Sequence, residues 1–232
     1  GCSMPATTSV MRICAPWAAI CLAVRLEAAQ AEPGGATCDD AGVAVFAAMP
    51  TDVADACRGA ADAIAFFRAA RLQTDVAMEI HVRNALPQGV GPGAAGGFLA
   101  REGRILMLPY AEFRKIGTWF GVPIDRRLYR SLAAHEVAHA LASGNFAVRM
   151  PSVEAHEYIA YVTMFSTMDP GLRERILAAI PETEPERTHR LSAAFHLFEP
   201  MRFGVTAYRH YIGPDGGPEY LRDILAGRAM AH

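Results

Sequence analysis

His135-Glu136-Val137-Ala138-His139 constrains this chain more than any other stretch. It lies inside a helix-forming run, with Leu128 to Ala134 before it and Ala140-Leu141-Ala142 after it. Two histidines four residues apart on an α-helix stand one above the other on the same face, so both imidazoles reach one point. The intervening Glu136 turns to the neighbouring face, beside that point. Zinc takes His nitrogens and carboxylate oxygens as ligands, and a catalytic zinc keeps one position for water. The pattern predicts His135 and His139 as zinc ligands and Glu136 as the group that takes a proton from water.

A catalytic zinc needs a third protein ligand. Downstream, Ser152 is a candidate N-cap for a second helix that carries Glu154, His156, Glu157, Tyr158 and Tyr161. Ser143-Gly144-Asn145 supplies stop and turn residues between the two helices, so the pair is expected to pack side by side. Glu157 on this helix is one candidate for the third ligand. Glu154, three residues earlier on nearly the same face, and His156, about 100° away, are the alternatives.

These residues resemble the gluzincin branch of the zincin metallopeptidases, which follow H-E-x-x-H with a Glu on the next helix. Glu157-Tyr158-Ile159-Ala160 matches the E-x-x-A setting of that Glu, and 157 − 139 = 18 residues separate it from the second His. The match covers Leu132 to Tyr161. The metzincin branch needs Gly and His where Ala142 and Asn145 stand. A branch with a downstream Asp ligand has none to use between Asp125 and Asp169. The resemblance implies a zincin-like α+β fold: a small N-terminal mixed or antiparallel sheet with helices, then the metal-site helix and a mostly helical C-terminal part. It implies Zn2+ as cofactor and a peptide or protein as substrate. It also implies a donor for the developing oxyanion from the segment after the third ligand, with Tyr161, Tyr208, Arg209, His210 and Tyr211 as candidates, Tyr161 and His210 foremost. In such folds an edge strand pairs with the substrate; Arg104 to Leu108 is the candidate, with an internal strand as the alternative. A zincin-like binding module without efficient turnover is the second functional reading, which the intact Glu136 disfavours.

Of 232 residues, 52% are hydrophobic and 20% charged, enough for one domain with a sizeable core. Net charge is −2 and no block of five like charges occurs, which argues against nucleic acid or an anionic membrane surface as partner. Met11-Arg12, the apolar run Ile13 to Val24 and Ala29-Gln30-Ala31 read as a signal peptide cleaved near Ala31. The run is 24 − 12 = 12 residues, short of the roughly 20 a membrane span requires. Residues 1–31 are thus expected as an extension plus signal peptide and 32–232 as a single exported zincin-like metalloprotease domain, periplasmic or extracellular. Export would leave Cys38 and Cys57 as a candidate disulfide.

Along the domain, strands are expected at Gly42 to Phe46 and Val76 to Val82, with a helix from Asp52 to Leu72 between them. A Gly-rich loop at Gly89 to Gly97 lacks the Lys-Ser/Thr of a phosphate cradle. A hairpin turns at Glu102-Gly103, a short helix covers Tyr110 to Ile116, and Asp125 caps the metal helix. Further helices are expected at Pro170–Ile180, Glu186–Phe198, Met201–Tyr211 and Pro218–Ala226. His81, His189, His196 and His232 stand alone and read as surface or satisfied core histidines.

Overall fold

Three strands run parallel because a helix carries the chain back between the first two. Strand β2 (Val43–Phe46) pairs in parallel with β3 (Met78–Val82), and β3 with β5 (Arg104–Met107). Antiparallel strands close both sides: β1 (Gly35–Thr37) on β2, and β4 (Gly96–Leu99) on β5. The order is β1-β2-β3-β5-β4. The computed structural model describes residues 34–39, 42–87, 90, 93–182 and 191–230, and these belong to one compact unit. The expected signal segment, Cys2, Cys14, Cys21, His189 and His232 lie outside the described residues. Among the described residues, no helix is long and apolar enough to cross a membrane.

One sheet face is apolar by alternation. Val43, Val45, Met78, Ile80, Val82, Ile105 and Met107 are all buried, while Ala44, Glu79 and Arg104 face outward. Helix α1 (Pro50–Ala69) presents Ala56, Ala60, Ala63, Ile64 and Phe67 to this core. A short helix α2 (Tyr110–Lys115) and a two-strand ribbon, β6 (Thr118–Trp119) with β7 (Val122–Pro123), lead into α3 (Arg126–Asn145). The ribbon turns through Phe120 and Gly121, with φ of 51° and 72°. Helices α4 (Val153–Thr167), α5 (Pro170–Ala179), α6 (Ala193–Phe198), α7 (Pro200–Ile212) and α8 (Pro218–Leu225) complete an α+β architecture.

Helix α3 is the hub. Asp125 caps it by accepting a hydrogen bond from the Leu128 amide at 2.9 Å. The Tyr129 hydroxyl donates to the Leu108 carbonyl at 2.8 Å, tying the helix to the end of β5. Against α1 the approach is close enough to require Gly59: a Cβ there would lie 2.4 Å from the Arg130 carbonyl oxygen. Buried Asp52 and Asp55 on α1 receive Arg126 and Arg130 from α3, so the charges on this seam are paired. Cys38 and Cys57 form a disulfide that fastens the β1–β2 turn to α1.

The strand predicted to line the cleft is a correction. Arg104–Met107 is internal, between β3 and β4, and the sheet's edge on that side is β4. Parallel pairing of β5 with β3 uses one side of the strand, and the hairpin fold-back places β4 on the other. The Gly-rich segment therefore ends in a strand, since Gly96 and Gly97 belong to β4.

Candidate metal centre

The H-E-x-x-H turn lies in the middle of α3, where every residue from Leu132 to His135 is buried. Helix α4 packs beside it, opened by Ser152, whose hydroxyl accepts from the Ala155 amide at 3.3 Å. Residues 158 to 165 of α4 are continuously buried, so this helix is surrounded by others and its position is fixed on all sides. Glu157, just before the buried run, faces α3 and its two histidines.

Three groups converge there. The Nε2 atoms of His135 and His139 are 3.2 Å apart. Glu157 Oε2 lies 3.6 Å from His135 Nε2, and Oε1 lies 3.6 Å from His139 Nε2. Ligand atoms about 2.0–2.1 Å from a tetrahedral zinc would stand roughly 3.3–3.4 Å from one another. The observed separations bracket that spacing, and two nitrogens with a carboxylate are donors that zinc accepts. The set therefore fits the ion. Of the alternatives, Glu154 is buried on the first turn of α4 but is not part of this group. His156 is turned aside, its ring 4.6 Å from that of Phe146.

Electrostatics prepare the same set. Burial, then neighbouring His139, pushes the His135 imidazole down to about 3, so it is neutral near pH 7. His139 is lowered too, chiefly by burial. Burial alone would raise Glu157, but His139, His196 and His135 outweigh it and bring the carboxyl down to about 2. Neutral imidazoles beside a carboxylate are the protonation states metal ligation needs. Glu136 is the opposite case: burial, with the Glu157 charge behind it, raises it well above the usual carboxylate range. His135 Nδ1 is buried without a hydrogen-bond partner among the described residues.

Tyr161, one turn after Glu157, is brought to the site. Its ring centroid is 4.5 Å from that of His135, and burial and the charges of Glu157 and Glu136 keep its phenol protonated. The ring is wedged against Phe120 and backed by Gly204, where a Cβ would lie 2.7 Å from Cδ1 of Tyr161. His210 is not brought to the three ligands by any contact. Its Nδ1 is 2.8 Å from the Tyr158 hydroxyl and its ring packs on Tyr220. Arg209 donates to the Leu177 and Ile180 carbonyls at the end of α5, Tyr208 stacks on Phe165, and Tyr211 meets Phe66. This cluster braces α7 against its neighbours.

His196 was not expected here, yet α6 places its Nε2 3.4 Å from Glu157 Oε2 and its ring 6.4 Å from that of Tyr161. No local spacing announces it. Its nearest signal is the cap at Ser192, which starts α6 and thereby sets which face His196 occupies. His81, by contrast, pairs with Glu79 at 2.8 Å and stacks on Phe46 on the outer sheet face.

The fold and this cluster define an α+β protein in which two histidines and a glutamate could hold a metal ion. The chain belongs to DUF6639, a family of unknown function, which matches residues 43–232. No curated protein and no solved structure matches it.

Proposed function

We propose that this protein is a zinc-dependent peptidase that acts outside the cytoplasm. The observation that carries the reading is the convergence of His135, His139 and Glu157 at 3.2–3.6 Å with Glu136 between the two histidines in sequence. His135 and His139 from α3 and Glu157 from α4 would hold the zinc. A zinc ion so held supplies Lewis acidity, polarising a carbonyl and making water acidic enough to lose a proton near neutral pH.

The chain's own groups do the rest. Glu136 accepts the proton of the attacking water and passes it to the departing amine. Its burial raises its basicity, which suits a group that must take up a proton during the reaction. The Tyr161 hydroxyl and the His196 ring flank the ligands and are the donors available to the negative charge that develops on the carbonyl oxygen. The edge strand β4 offers backbone groups on its outer side to an extended peptide. Export accords with the Cys38–Cys57 disulfide, which persists in oxidising compartments.

The test is Glu136→Gln in the purified 32–232 chain. Zinc content should stay at one per chain while hydrolysis of a quenched-fluorescence peptide library drops by about 10²-fold or more. Unchanged turnover in that variant would remove Glu136 from the mechanism, and absence of stoichiometric zinc in the wild type would remove the metal.

A further inference from the structure

The main chain of β4 crosses directly over the Glu136 side chain. A Cβ built on Gly96 would lie 2.6 Å from Glu136 Oε1, 2.8 Å from its Cγ and 2.9 Å from its Cδ. Real Cβ atoms essentially never approach so closely, and all three nearest atoms belong to this one side chain. Backbone conformation does not explain the glycine, because Gly96 is not among the residues with positive φ. Position 96 is kept bare by what lies beneath it.

Neither backbone is free to retreat. Gly96 pairs with Met107 and Gly97 with Leu106, and the Leu108 amide bonds to the Ala95 carbonyl at 2.8 Å, so β4 is held against β5 on both sides of the crossing. On the other side, α3 is pressed on α1 at Gly59 and tied to the end of β5 through Tyr129. A side chain at position 96 would therefore be accommodated by swinging the Glu136 carboxylate, the softest element in the contact.

We infer that Gly96 is the positioning residue for Glu136: the bare backbone of β4 is the surface against which the carboxylate is held. This rests on the peptidase reading above. The contact confines the side chain, Oε1 included, from the sheet side. Misplacing a reacting group by about 1 Å costs on the order of 10²-fold in rate, and a methyl at position 96 forces a displacement of that order.

Two measurements on Gly96→Ala decide it. With a cleavable peptide, kcat should fall by about 10²-fold while KM and zinc content hold. Thermal unfolding gives a readout that does not need activity: Gly96→Ala should lower Tm in the wild-type background and lower it much less in a Glu136→Ala background, where the carboxylate is gone. A generic packing role would give the same Tm loss in both backgrounds, and that result overturns the inference. An active wild type whose Gly96→Ala variant keeps full kcat overturns it as well, with the peptidase reading intact. A wild type that binds zinc but cleaves nothing brings down the peptidase reading, and the positioning role with it.

Discussion

His135 Nε2 and His139 Nε2 face each other at 3.2 Å with their rings nearly perpendicular, 85° between planes. At most one proton can sit between two such nitrogens, and burial disfavours charging either ring. Under the proposed function a divalent cation would replace the shared hydrogen bond and give the Glu157 carboxylate a positive charge to meet. Glu157→Ala is expected to weaken zinc binding by at least about 10²-fold, and His156→Ala to leave it near wild type; competition with a chromophoric chelator measures both. Stripping the metal from wild type should cost about 2.7 kcal/mol relative to zinc at 100 times Kd, or about 5–10 °C in Tm for a chain of this size.

Tyr161 and His196 approach His135 and Glu157 from two helices, and under the proposed function both would act on the charge that develops during the reaction. Tyr161→Phe keeps the ring that Phe120 and Gly204 embrace, so stability should change by less than about 1 kcal/mol. Its kcat should drop by about 10²-fold if the hydroxyl is a principal donor. Steady-state kinetics of Tyr161→Phe and His196→Phe side by side identify which of the two carries the larger share.

The Cys38–Cys57 bridge closes a loop spanning a sequence separation of 19. Loops of this length yield about 3 kcal/mol when cross-linked, by the chain-entropy argument. The double variant Cys38→Ala/Cys57→Ala should therefore melt about 6–12 °C lower than the oxidised protein. Dithiothreitol should reproduce that loss in wild type and leave the variant unaffected.

His210 supplies a pH dependence whose sign is fixed. Burial lowers its pKa, only partly countered by Asp215, and its Nδ1 shares a hydrogen bond with the Tyr158 hydroxyl, itself kept protonated by burial. The unfolded chain, with an imidazole near 6.5, takes up the proton first as pH falls. The contribution is complete above about pH 6.5 and is lost as pH drops toward the folded value. His210→Phe cannot titrate. Urea midpoints at pH 7.5 and 5.5 should show wild type losing more stability than this variant across that interval.

Much of the centre could be read from local order. The offsets 135, 136 and 139 acquire meaning as soon as the segment is helical, and Asp125 and Ser152 mark where both helices start. Glu157 follows because a short connection lets α4 lie beside α3. What could not be read is decided by long-range pairing. Nothing in Arg104–Met107 states that β3 will take one of its sides, which is why the edge passes to β4. Nothing near His196 states that α6 will lean over Glu157, and the Tyr208–Tyr211 cluster reads as chemistry until its partners on α5, α4 and α1 are known. Gly96 read as one residue of a Gly-rich loop because its reason, a side chain 40 residues later (136 − 96), belongs to another element.

Helix α1 carries the bridged Cys57 and, two residues on, the glycine pressed into the helix that bears both imidazoles. The covalent tie and the tight helix crossing therefore lie within one turn of the same rod. Opening the bridge would release α1 from the β1–β2 turn at the very place where it meets the helix that carries both imidazoles.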